Sequence, residues 1–112
     1  MGTGEERPWA LKYRVELTAK AKESLSKLPK TVQAKLAEQI TSLADDPRPV
    51  GARKIKGQDN CYRIRQGDYR MIYAVLDDQL FVIIVRAGHR KEVYERMETV
   101  ARIIERIQNS GK

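Results

Sequence analysis

Two stretches of this chain, Cys61–Gln66 and Tyr69–Leu76, are separated by only Gly67 and Asp68. That spacing constrains the fold more than any other feature of the sequence. A two-residue loop with glycine first suits a type II′ turn, so the stretches are predicted to be antiparallel strands. The turn sets the register: Gln66 opposes Tyr69, Arg65 opposes Arg70, Ile64 opposes Met71 and Arg63 opposes Ile72. Side chains alternate along a strand. One face then carries Tyr62, Ile64, Tyr69, Met71 and Tyr73, and the other carries Arg63, Arg65 and Arg70. A one-residue slip would scatter the arginines over both faces. Arg65 opposite Arg70 costs stability, a cost tolerated best where an anion will sit.

Upstream, Tyr13 to Leu17 alternates and reads as a short strand. Thr18 suits an N-cap for a helix over Ala19–Leu28, which Pro29 ends. Lys30 to Ala44 carries Val32, Leu36, Ile40 and Leu43 at helical spacing, and the Asp45-Asp46-Pro47-Arg48-Pro49 run stops it. Ala52 to Lys56 reads as a short, exposed, basic strand. Asp77-Asp78 reads as a tight turn. Leu80 to Ala87 is almost continuously apolar, which predicts a central strand covered on both faces. Past Gly88, Val93, Met97, Val100, Ile104 and Ile107 form a helical stripe over 92–108, expected to pack on its own sheet or, in the alternative, to dock on a partner. Residues 1–11 read as a flexible lead-in to one domain at 12–108. The first seven residues lack the apolar core of a signal peptide.

The chain has 112 residues and a formal net charge of +7. The segment 48–91 holds ten Lys/Arg against four Asp/Glu, while the segments on either side are nearly balanced. A localised basic excess attracts phosphate backbones or acidic proteins. No apolar run is long enough to span a bilayer, so no membrane partner is expected. Cys61 is the only cysteine, so an intramolecular disulfide is impossible, and a reducing cytoplasm is the expected compartment.

Arginine presents a planar fork that matches phosphate oxygens. Three on one sheet face, with Arg90 just past the end of a strand, could surround one phosphodiester. RNA carries its own nucleophile, the 2′-hydroxyl. A protein then has to align it, accept its proton, stabilise the pentacoordinate charge and protonate the leaving oxygen. His89 is the only histidine, and an imidazole titrates near ~6.5 when unperturbed, which suits proton transfer. Tyr94 can donate a hydrogen bond or stack on a base. Each of the two also has a plain reading, as a turn residue and a core residue respectively. No Cys/His spacing suits zinc, and no glycine-rich loop suits a nucleotide, so neither metal nor cofactor is expected.

Three motifs, Cys61-Tyr62-Arg63-Ile64-Arg65, Asp68-Tyr69-Arg70-Met71-Ile72-Tyr73 and Gly88-His89-Arg90-Lys91-Glu92-Val93-Tyr94, occur in this order after the basic Lys54-Ile55-Lys56-Gly57. In this arrangement the chain resembles the RelE/ParE superfamily of toxins from type II toxin–antitoxin operons, over roughly Tyr13 to Tyr94. The resemblance implies an α+β fold: a twisted, mainly antiparallel sheet with an N-terminal helical hairpin and a C-terminal helix. It implies a toxin held inactive by a cognate antitoxin, in a higher-order complex. RelE-like members cut mRNA in the ribosomal A site, whereas ParE-like members poison DNA gyrase.

Carried over residue by residue, the resemblance gives Arg70 the grip on the scissile phosphate. It gives Arg90 transition-state stabilisation or leaving-group protonation, and Tyr94 stacking or orientation of the substrate. Arg63 and Arg65 fall where some members carry lysines, one of them a proposed general base. Arginine keeps the phosphate contact but is a very poor base, with a pKa above ~12. The catalytic set expected is Arg65, Arg70, His89, Arg90 and Tyr94, with His89 taking part of the base role or electrostatic alignment replacing it. Arg53, Lys54, Lys56, Arg63 and Lys91 are expected to contact RNA, namely mRNA on the ribosome with neighbouring rRNA. A gyrase poison without nuclease chemistry and an inactive antitoxin-binding member are the alternatives.

Overall fold

A computed structural model of the chain describes residues 12–94, 101–102 and 104–106. In chain order it contains β1 (Arg14–Leu17), α1 (Ala19–Ser26), α2 (Lys30–Ser42), β2 (Arg53–Lys54), β3 (Cys61–Gln66), β4 (Tyr69–Leu76), a 3-10 turn (Asp77–Gln79) and β5 (Phe81–His89). The strands form one sheet in the order β1-β5-β4-β3-β2. Only β1 and β5 run parallel. The expected α+β architecture is therefore present. The lead-in at 1–11 and most of the expected 92–108 helix lie outside the described residues. Within that span, 92–94 are turn, and 101–102 and 104–106 are helical.

The β3–β4 hairpin has the register its turn dictates, from Gln66↔Tyr69 to Arg63↔Ile72. Gly67 has φ +62° and Asp68 is not left-handed, the pattern of a type II′ loop. The expected basic strand shrinks to Arg53–Lys54, hemmed in by bends at Gly51 (φ +101°) and Gly57 (φ +81°). β4 is the middle strand and is buried from Arg70 onward. β5 is also an interior strand, between β1 and β4, and is covered on both faces from Phe81 to Val85.

Both helices lie on one face of the sheet. Ala21, Leu36 and Leu43 are fully buried there, with Val32 and Ile40 packed beside them, against Ile64, Met71, Tyr73, Val82 and Ile84. The opposite face is apolar at one end, where Cys61, Ala74, Leu76, Phe81 and Ile83 meet Ile104. At the other end it is cationic.

One irregularity in β5 decides which side chains reach that cationic end. Tyr73 pairs with Ile84 but Ile72 pairs with Arg86, so Val85 has no partner on β4 and forms a bulge. The bulge is tied to α1. Thr18 Oγ1 accepts from Ala21 N–H at 2.9 Å, capping the helix, and also donates to the Val85 carbonyl at 2.9 Å. The N–H of Ala87 donates to Ser24 Oγ at 3.0 Å. Two helix hydroxyls thus satisfy backbone groups beside the break in the ladder, where an orphaned buried group would cost about 1–3 kcal/mol.

Candidate nucleic-acid interface

Directly opposed residues in a sheet share a face, so the register assembles the cationic surface row by row. Arg53 opposes Arg63, Arg63 opposes Ile72, and Ile72 opposes Arg86. The next row is Arg65, Arg70 and Gly88. Neighbouring strands lie ~4.8 Å apart, so five arginines from four strands occupy one patch. Arg53 and Arg65 are exposed, Arg63 is half-buried, and none of these three has an ion-pair partner among the described residues.

Arg70 is the most enclosed of the five, 9% exposed. Its Nη1 donates to the carbonyls of Gly67 at 2.9 Å and Tyr69 at 3.0 Å. The guanidinium is thereby fixed against the hairpin turn. Arg90 meets the same turn from the far side. Its N–H donates to the Asp68 carbonyl at 2.7 Å, and its Nε lies 3.9 Å from the Asp68 carboxylate. The Gly67-Asp68 loop therefore holds Arg70 and Arg90 together, although twenty positions separate them in sequence.

Beyond β5 the chain folds back. The N–H groups of Glu92 and Val93 donate to the His89 carbonyl at 2.8 and 2.9 Å, and Val93 is buried. Tyr94 is half-buried against the apolar cluster on the arginine side of the sheet. Lys91 and Lys56 are exposed in turns.

Two expected members stand apart from the arginines. His89 opposes Tyr69 on the helix side, with the rings edge to face at 5.8 Å between centroids. Its Nδ1 accepts from the Lys91 N–H at 3.2 Å. The bulge at Val85 shifts the alternation by one, and this is what sends His89 to that side. Lys54 opposes Tyr62, also on the helix side, with its ammonium 3.8 Å from Asp59. Cys61 is fully buried, and burial pushes its thiol up to about 11, which keeps it protonated and inert near neutral pH.

Sequence reasoning missed two arginines. Arg86 interrupts an apolar strand, and strict alternation from Phe81 would bury it in the core beneath the helices. That conflict was the available signal of a bulge. Arg48 donates to both Asp77 oxygens at 2.7 and 3.2 Å and to the Tyr62 hydroxyl at 2.8 Å, while Tyr13 also donates to Asp77. The hydrogen bonds from Arg48 and then Tyr13 hold the Asp77 carboxyl below the usual carboxylate range. This cluster clamps the 46–50 loop to the β4–β5 turn. Tyr73 adds a bond from its hydroxyl to the Pro47 carbonyl at 2.8 Å.

A twisted sheet with a helical hairpin on one side and a row-ordered arginine patch on the other defines a small basic toxin fold of the RelE kind. Residues 15–94 match the family model described as the ParE toxin of the type II toxin–antitoxin system, parDE, and the chain belongs to that family. The mRNA interferase toxin RelE of Escherichia coli is 30% identical over 94 residues, covering 82% of this chain and 98% of that one. Toxin RelG of Mycobacterium tuberculosis is 32% identical over 85 residues, covering 75% and 98%. Among solved structures, a free E. coli RelE variant with two arginines replaced by alanine superposes with TM-score 0.65 at 25% identity, covering 87% of this chain and 99% of that one. The toxin in an archaeal RelE–RelB complex from Pyrococcus horikoshii gives 0.62 at 27% identity, covering 74% and 100%.

Proposed function

We propose that this toxin is an endoribonuclease that cuts mRNA in the ribosomal A site, halting translation, and that a cognate antitoxin silences it. The observation that carries the reading is the joint anchoring of Arg70 and Arg90 on the Gly67-Asp68 loop, at the end of a patch that also holds Arg63 and Arg65. Two guanidinium groups carried by one turn suit the extra negative charge that builds on a phosphodiester under attack.

In that reaction the 2′-oxygen bonds to phosphorus and loses its proton to solvent water, while the P–O5′ bond breaks and the 5′-oxygen gains a proton from water. The products are a 2′,3′-cyclic phosphate and a 5′-hydroxyl. Arg70 holds the phosphate, Arg90 stabilises the pentacoordinate charge, and Tyr94 orients the adjoining base. Arg53, Arg63 and Arg65 draw the flanking backbone onto the sheet. Arginine side chains do not take protons, so alignment and charge stabilisation supply most of the acceleration. An acidic segment of an antitoxin would compete for the same face.

The test adds purified protein to translating ribosomes and maps mRNA ends, with a DNA supercoiling assay in parallel. Cuts within A-site codons are the expected result. Intact mRNA with inhibited gyrase would overturn the reading in favour of a gyrase poison.

A further inference from the structure

The arginine that the bulge redirects has a second role written into its contacts. Arg86 lies on the cationic face opposite Ile72, half-buried, and its Nη1 donates to the Val93 carbonyl at 3.2 Å. Val93 rests against Gly88 with its side chain buried, and its N–H bonds back to the His89 carbonyl. The turn running from Arg90 to Tyr94 is thus pinned at three points. Its start is held by Asp68, its middle by the His89 carbonyl, and its end by Arg86. A charge-assisted bond to a backbone carbonyl is stronger and more directional than a neutral one. Without the extra residue at Val85, the Arg86 side chain would point toward the helices and could not reach Val93. The bulge is itself secured by Thr18 and Ser24 of the capped helix.

We propose that Arg86 is a positioning residue, which holds the turn bearing Arg90 and Tyr94 in register over the arginine patch. The proposal rests on the RNA-cleaving reading above. It adds a device running from the α1 hydroxyls through the bulge and Arg86 to the two substrate-contacting side chains. Removing the bond leaves Arg90 and Tyr94 chemically intact but free to drift by an ångström or so, and drift of that size costs rate much more than affinity.

The test compares Arg86→Met and Arg86→Lys with the wild-type full chain, on ribosomes carrying a defined mRNA. Arg86→Met is expected to lower kcat by roughly tenfold to a hundredfold, with KM within about threefold of wild type. Arg86→Lys recovers part of the loss, because an ammonium can still donate one bond to the Val93 carbonyl. Amide exchange at Glu92 and Val93 accelerates by about fivefold or more in Arg86→Met, while exchange in β4 is unchanged. Wild-type kcat and wild-type exchange in Arg86→Met would overturn the proposal. A rise in KM alone would also overturn it, making Arg86 a direct phosphate ligand. Intact RNA with the wild-type protein would sink the cleavage reading instead. Exchange would then decide the positioning role: unchanged rates at Glu92 and Val93 reject it and faster rates support it.

Discussion

Arg90 gives the cleanest residue-scale test, because its side chain meets only the exposed Asp68 carboxylate among the described ion pairs. Arg90→Ala is expected to reduce mRNA cleavage at least about a hundredfold in an end-mapping assay, with an unchanged melting temperature. Arg70→Ala should lose activity similarly but also cost about 1–3 kcal/mol in urea unfolding, since the hairpin-turn carbonyls lose their donor. His89 faces the other way. His89→Ala is expected to cleave within about threefold of wild type throughout about pH 6 to 9, so that the two pH–rate profiles superpose. A limb of the wild-type profile that disappears in His89→Ala would instead make the histidine a proton carrier.

At the scale of elements, the hairpin was legible because its two faces differ in kind. Tyrosines and aliphatics stand on one side and guanidinium groups on the other, so any slip would bury charge. β5 offered no such lever. Phe81-Val82-Ile83-Ile84-Val85 is apolar on both faces, so a one-residue shift changes nothing in the pattern, and the bulge left no mark except the awkward Arg86. That single shift explains why Arg86 was missed and why His89 was grouped with the arginines. Thr18 was recognised as a helix cap, yet its bond to Val85 joins groups 67 positions apart, which no local pattern reports. Because Thr18 serves both, Thr18→Val should cost about 1–3 kcal/mol in urea unfolding, more than a lost cap alone. The Arg48–Asp77 clamp has a pH signature. Asp77 is held below its ordinary value, so its contribution is complete above the unfolded carboxylate range and is lost as pH falls through the folded value. Both groups are more than a third exposed, which limits the effect to about 1 kcal/mol at neutral pH. Asp77→Asn should therefore lower Tm by roughly 4–8 °C at pH 7. The gap to wild type should close in strongly acidic buffer.

At the scale of the whole molecule, arginines are concentrated on one face of the sheet. The ten cations of the 48–91 segment include Arg48 and Lys54, which pair with nearby acids, and Arg53, Arg63 and Arg65, which have no ion pair among the described residues. A surface of unneutralised arginines binds polyanions through released counterions. Binding of an acidic antitoxin across it should weaken steadily as salt rises from about 0.1 to 0.5 M, measured by titration calorimetry. A flat response would place the contact on apolar surface instead.

The pairing of β1 with β5 also bears on how the molecule comes into being. Arg14 lies beside Phe81, so β1, the first strand of the described residues, has no partner until β5, the last of them, has been synthesised. Chains emerge from their amino terminus at a limited pace, and contacts this distant in sequence form slowly. Thr18 and Ser24, which secure the bulge, likewise wait for Val85 and Ala87. A nascent chain can therefore pair β3 with β4 early, but cannot seat Arg86 beside Ile72 until β5 has been made. The completed sheet, with β1 seated beside β5, is thus a late product of synthesis.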